Sequence, residues 1–231
     1  MRKYIPHILI ITFVFIPIPI TSATGGSITL RSSYKTLFVS EVWSMPNVSI
    51  REKYAWGFIG HSTINHDYNL KIIEGDTVVV DNATGLMWHQ SGSDDEISWE
   101  KAKEWIKKLN KGGYAGYQDW RLPTVDEAAS LLDSRVASRD MMTDFLLLKS
   151  SFSPGNLLQE ELEIDEKNRD LCIDPVFSKK QIYIWTGDEA EYEDDSEVAW
   201  DVNLINGHVR IPQLVKLRYH CNHVRPVRSV R

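Results

Sequence analysis

The stretch that most restricts the fold is GYAGYQDWRLPTVDEAASLL, residues 113 to 132. It joins two helix signals. Upstream, Trp99, Ala102, Ile106 and Leu109 recur at helical spacing, Ser98 can cap the run, and Gly112 and Gly113 stop it. Downstream, Thr124 and Glu127 form a capping box, and Ala128, Leu131 and Leu132 supply a buried face. Trp120, Arg121, Leu122 and Pro123 sit between them. Proline fixes the backbone ahead of the cap, and the tryptophan and leucine need a core to enter. Trp120, Leu122, Pro123 and Thr124 are therefore expected to be structural. Arg121 can bury its stem and bond a carboxylate such as Asp119, or it can meet an anion.

Strand signals flank this unit. DTVVVDNATGLMWHQ predicts two strands around a tight turn at residues 81–85. IYIWTG predicts a short strand ended by Gly187. Val198, Trp200, Val202 and Leu204 alternate with smaller or polar residues, which predicts a strand with one buried face. Asn206-Gly207 marks a hairpin, Val209 and Ile211 start its return, and LRYHCNHVRPVRSVR forms a last strand. Trp88, Trp185 and Trp200 are expected in the core, with Gly207 at the turn. The sum is an α+β fold, two helices packed on a twisted antiparallel sheet. CIDPVF brings the chain back to that core, after a short helical turn expected in MMTDFLLLK and an acidic surface excursion over residues 160–170.

The first 75 residues read differently. Arg2 and Lys3 precede an apolar run from Ile8 to Ile20 and the small residues Thr21, Ser22 and Ala23, the layout of a secretory signal peptide over residues 1–23. Residues 24–75 form an N-terminal extension. YKTLFVSEVWSM reads as a short helix or a strand. IREKYAWGFIGHSTINHDYN has little periodicity and reads as an irregular segment laid on the main domain.

Export frames the chemistry. Without residues 1–23 the chain has 208 residues and a formal charge of −8, which argues against nucleic acid as a partner. No later apolar run is long enough to cross a membrane. Cys172 and Cys221 could form one disulfide in an oxidising compartment. Neither has metal-site spacing, and no cofactor or metal motif is present. His61, His66, His220 and His223 are unspecific. Residues 205–231 hold six Lys or Arg residues, Arg210, Lys216, Arg218, Arg225, Arg228 and Arg231, and no Asp or Glu. They could form a positive face for an anionic polysaccharide, or pair with the acidic stretch at residues 188–197. No convergent nucleophile, base and orienting group is evident, so the chain is read as a non-enzyme.

VVVDNATGLMWHQ, SWEKAKEWIKKLNKGGYAGYQDWRLPTVDEAASLL, YIWTG, AWDVNLINGHV and VRPVRSVR occur in that order. Together they resemble the bacterial domain of unknown function numbered 1566, the C-terminal domain of the Legionella collagen-like protein, over residues 76–231. The resemblance implies a C-type-lectin-like fold and a periplasmic or secreted location. It also implies a binding role, with an anionic or sulfated surface glycan or a surface protein as partner. Arg121, Arg210, Arg218, Arg225 and Arg228 are the candidate ligand-binding residues. The collagen-like repeats of the adhesin and the calcium-type sugar motifs of animal lectins are absent from this sequence.

Overall fold

A computed structural model describes residues 27–138, 170–191, 198–212 and 221–230. Its strands form two sheets. The larger has the order β1-β7-β8-β9-β3-β2, built from β1 (Thr36–Leu37), β2 (Val48–Tyr54), β3 (Gly57–Ser62), β7 (Tyr183–Ala190), β8 (Val198–Asn203) and β9 (His208–Arg210). The smaller is β10-β6-β5-β4, from β4 (Tyr68–Ile73), β5 (Asp76–Asp81), β6 (Leu86–His89) and β10 (Val227–Ser229). All pairings are antiparallel except β1 on β7. The helices are α1 (Val39–Val42), α2 (Trp99–Gly112) and α3 (Val125–Ser130). The molecule is thus a mixed α+β fold with helices packed on its sheets.

The main core lies between the two sheets. Val79, Trp88 and Val227 from the smaller sheet meet Phe58, Ile184, Trp200, Val202 and Val209 from the larger, with Leu131 and Leu132 closing one side. Val78, Val80 and Met87 face the other way, onto Ala115 and Trp120. Strands β5 and β6 of the smaller sheet are therefore covered on both faces, which is why β5 carries three valines in a row rather than an alternation. Strand β8 shows the same principle. Trp200 and Val202 enter the main core while Ala199 packs with Trp99 and Ile106 of α2. The expected solvent face of β8 is thus buried under a helix.

The helix signals read from the sequence hold. Ser98 caps α2, and Gly113 ends it at φ 71°, in the left-handed region that glycine enters without strain. The Thr124–Glu127 capping box opens α3. Cys172, Ile173 and Phe177 are buried, as expected of the returning segment. Gly207 turns the β8–β9 hairpin at φ 73°, and a Cβ there would lie 2.5 Å from Val136.

Three expectations change. Strand β7 runs past Gly187 to Ala190, with a register shift between Trp185 and Glu189 absorbing the glycine. The segment read as irregular is β2, β3 and β4; a bulge between Ile50 and Glu52 breaks the alternation that would have revealed β2. YKTLFVSEVWSM holds both a strand, β1, and a helix, α1. Residues 24–75, expected as an extension, thus supply β1 to β4 and enter both sheets.

Both ends of the described chain dock on one turn. The Ile28 amide donates to the Ala83 carbonyl and the Val230 amide to the Gly85 carbonyl, each at 2.9 Å. Residues 1–23, the MMTDFLLLK stretch and residues 160–169 lie outside the described residues.

Candidate functional site

Among the described residues, the arginines singled out in the sequence do not share an open face. Arg121 forks onto Glu127 at 2.6 and 2.7 Å, and Glu127 is fully buried. Burial opposes the Arg121 charge, but Glu127 outweighs it and holds the guanidinium above its usual range. Arg210 lies on β9 in the larger sheet, bonded to buried Asp201 at 2.9 and 3.4 Å and stacked 4.7 Å from the Tyr183 ring. Arg228 lies on β10 in the smaller sheet, bonded to Asp119 at 2.7 and 3.1 Å and 3.7 Å over the Tyr117 ring.

Arg225 corrects the sequence reading most sharply. It is fully buried and donates to the carbonyls of Gln90 at 2.7 Å and Ser178 at 3.0 Å. Burial pulls its guanidinium down to about 9. A side chain spent on two internal carbonyls ties loops together and presents no charge to a ligand. Arg218 and residues 192–197 lie outside the described residues, and Asp188 of that acidic stretch serves another partner.

That partner is Arg31. Asp188 is fully buried and accepts from Arg31 through both oxygens at 2.7 Å, from the Lys35 amide at 2.8 Å and from the Val125 amide at 2.7 Å. Arg31 also bonds Asp126. Asp188 thus stabilises the positive N-terminal end of α3 from another strand.

The tryptophans lie in the interior. Trp120, Trp185 and Trp200 are buried and donate their indole N–H to the carbonyls of Tyr114, Ile97 and Glu189 at 3.0, 2.7 and 3.1 Å. Trp88 is buried against Phe177, edge to face. Leu122 is buried, Pro123 accepts the Gly187 amide at 2.8 Å, and Thr124 is fully buried. Cys172 is buried and Cys221 exposed, and the two are not joined, so the disulfide that the sequence left open is not formed. The Cys172 thiol donates to the Ile205 carbonyl instead.

The molecule's open polar groups lie elsewhere. A groove of about 600 Å³ runs between the β3–β4 connection and the C-terminal end of α3, lined among others by His61, His66, Tyr68, Asp133, Arg135 and Asp174. The Ser62 amide donates to the Leu132 carbonyl at 2.8 Å, joining the two walls. His66 is held on both nitrogens, by Asp81 at 2.7 Å and by the Ser130 carbonyl at 2.8 Å. Both ring nitrogens are therefore engaged within the fold, and neither is open to a ligand. Burial works against the Asp81 charge, yet the bonds from His66 and Thr84 hold its carboxyl below the usual range.

Tyr68 stacks on His66 at 4.8 Å and meets Phe177 edge to face at 5.2 Å. Its hydroxyl is buried and has no hydrogen-bond partner among the described residues, and the same holds for Nδ1 of His61. Burial first, and then the carboxylates of Asp81, Asp174 and Asp133, push the Tyr68 hydroxyl well above its ordinary value. Sequence reasoning passed over His61 and His66 as unspecific. The only signal was their density with Tyr68 in one short segment. Among the described residues no three His, Cys, Asp or Glu side chains come together to hold a metal ion.

Residues 77–228 match the family model of the Lcl C-terminal domain. The chain belongs to that family. No curated protein and no solved structure matches it. The match to the Lcl C-terminal domain begins inside β5, so β1 to β4, and with them His61, His66 and Tyr68, lie outside the matched residues. Asp133 and Asp174 on the facing walls lie within them.

Proposed function

We propose that this chain is an exported, non-catalytic binding module that takes a surface glycan in the groove at the C-terminal end of α3. The observation that carries this reading is that two residues of the groove lining, Tyr68 and His61, each hold a buried polar atom, Oη and Nδ1, with no partner among the described residues. A buried polar atom without a partner costs about 1 to 3 kcal/mol, and a ligand that supplies the missing bond recovers it. Polar walls beside the stacked Tyr68 and His66 rings suit a sugar, which has hydroxyls at its edge and an apolar face. Export rests on the leader-like first residues and on the family. Among the described residues no helix is long and apolar enough to cross a membrane. The C-type-lectin-like identity of the fold belongs to the same proposal, resting on the resemblance of the ordered strings and on α2 and α3 packing against the sheets.

A glycan array on the purified chain, followed by calorimetric titration of the hits, tests the reading. Wild type should bind, and Tyr68→Phe should lose about tenfold in affinity while keeping its fold. Binding that is indifferent to Tyr68→Phe overturns the groove as the site. A second reading, an envelope protein-interaction module, draws on Leu70 and Ile72, which are 55% and 75% exposed on the edge strand β4. It gains if glycans fail and Ile72→Lys abolishes capture of a protein partner.

A further inference from the structure

The charges around the groove narrow the kind of sugar it can take. Three carboxylates, Asp81, Asp133 and Asp174, and one guanidinium, that of the buried Arg225, act on the Tyr68 hydroxyl. Asp81 is hydrogen-bonded to His66 at 2.7 Å and lies outside the lining of the groove. Asp133 is forked by Arg135, whose Nε lies 3.0 Å from both of its oxygens. Arg135 is further committed to Asp170 at 2.8 Å and to the Ile173 carbonyl at 2.6 Å. Asp174 is different. One of its oxygens accepts the Val176 amide at 2.8 Å, and no described ion pair reaches it. The described lining of the groove therefore carries two carboxylates, Asp133 and Asp174, against one guanidinium, Arg135, and the surplus sits at Asp174, whose charge reaches the Tyr68 hydroxyl.

A sulfate or carboxylate entering here would shed water and meet like charge. A ligand rich in donors has the opposite experience. Its hydroxyls can bond Tyr68 and His61, and a cationic donor gives Asp174 the partner it lacks. Charge-assisted hydrogen bonds are about twice as strong as neutral ones, so an ammonium gains most at that oxygen. We infer that the groove, on the glycan-binding reading above, selects amino sugars: the ammonium of a hexosamine pairs with Asp174 while the neighbouring ring hydroxyls meet Tyr68 and His61. This reverses the charge preference expected from the arginine-rich C-terminal stretch, whose described arginines are all engaged within the fold.

The test compares three probes on the full chain by calorimetry, at mildly acidic pH where sugar amines are charged. They are a chitosan hexamer with free amines, a chitin hexamer with the same sugars acetylated, and a heparin hexasaccharide. Wild type should bind the chitosan hexamer about tenfold tighter than the chitin hexamer, as expected for one hydrogen bond to a charged group. Asp174→Asn should erase that preference, bringing the two hexamers to equal affinity. Tyr68→Phe should weaken both. Equal affinity for the two hexamers in wild type overturns the amino-sugar inference and leaves the glycan site standing, and so does tighter heparin binding that Tyr68→Phe weakens. Chitosan binding that survives Tyr68→Phe unchanged places the sugar outside the groove and overturns the inference together with the site. Failure of all three probes overturns the inference, and the array then decides the broader reading alone. The wild-type comparison needs no variant, so a misfolded Asp174→Asn leaves the inference open to refutation.

Discussion

The two ends of α3 lie only about 9 Å apart along one short helix, and they differ in every polar respect. At the first turn, Glu127 accepts from Arg121 twice and from the Thr124 amide. Asp188 accepts from Arg31 and two backbone amides. Thr124 accepts the Glu127 amide and donates to the Arg31 carbonyl. At the last turn, the Ser130 and Leu132 carbonyls are met by His66 and Ser62, yet beside them Tyr68 Oη and His61 Nδ1 have no partner. The first end has its carboxylates fully engaged within the fold. The second keeps some hydrogen-bonding capacity in reserve. Charged residues mark the first end in the sequence, but unspent capacity marks a site better than charge does.

The comparison breaks first at Glu127. Glu127→Ala leaves Arg121 half-buried and unpaired beside a helix that has lost its capping box. Removing one partner of a buried pair costs about 3 to 5 kcal/mol, and chemical denaturation should read a loss of that size. A loss under about 1 kcal/mol would mean that the first turn is not the rigid end. Asp188→Asn keeps the shape but removes the charge facing Arg31 and the Val125 amide. A loss of about 1 to 3 kcal/mol is expected, with the N-terminal strap around Arg31 exchanging its amides faster.

Acid should act on the whole fold in one direction. Burial holds His89 and His208 at about 4, below the unfolded value. The unfolded chain therefore takes up protons first, so stability is full above about pH 6.5 and declines toward pH 4. Asp81, held below its ordinary value, adds a further loss only as pH falls through the carboxylate range. A melting temperature that stays flat between pH 7 and pH 4 would contradict the burial of both histidines.

Tyr68→Phe sharpens the contrast because it separates stability from binding. Removing a hydroxyl that has no partner should leave stability unchanged or raise it by up to about 1 kcal/mol, while glycan affinity drops. A large destabilisation would place a hidden partner on that oxygen. Arg228→Ala should do least. Its partner Asp119 is exposed, with 61% of its side-chain surface open, so the pair and the Tyr117 contact together contribute about 1 kcal/mol or less.

Much of the first end was legible in the sequence and almost none of the second. Caps, glycine stops and hairpin dipeptides are local chemistry, so Thr124–Glu127, Gly113 and Asn206-Gly207 could be read directly. Arg31 and Asp188 are 157 residues apart, and nothing local announces such a pair. The C-terminal arginines looked like a face because the stretch from Ile205 on has no acids. Their partners, Asp201 and Asp119, lie just outside it and far before it. The groove was harder still. It depends on β3 and β4, where a bulge and an exposed edge strand blur the period-two pattern, and on atoms whose importance is the bonds they lack.

The turn at residues 81–85 receives both ends of the described chain, one on the Ala83 carbonyl and the other on the Gly85 carbonyl. A module tethered at both ends would therefore hang from a single corner. Tension along a polymer that carried it would be borne between two neighbouring amides, and the hydrophobic layers and the groove would stay outside the line of force.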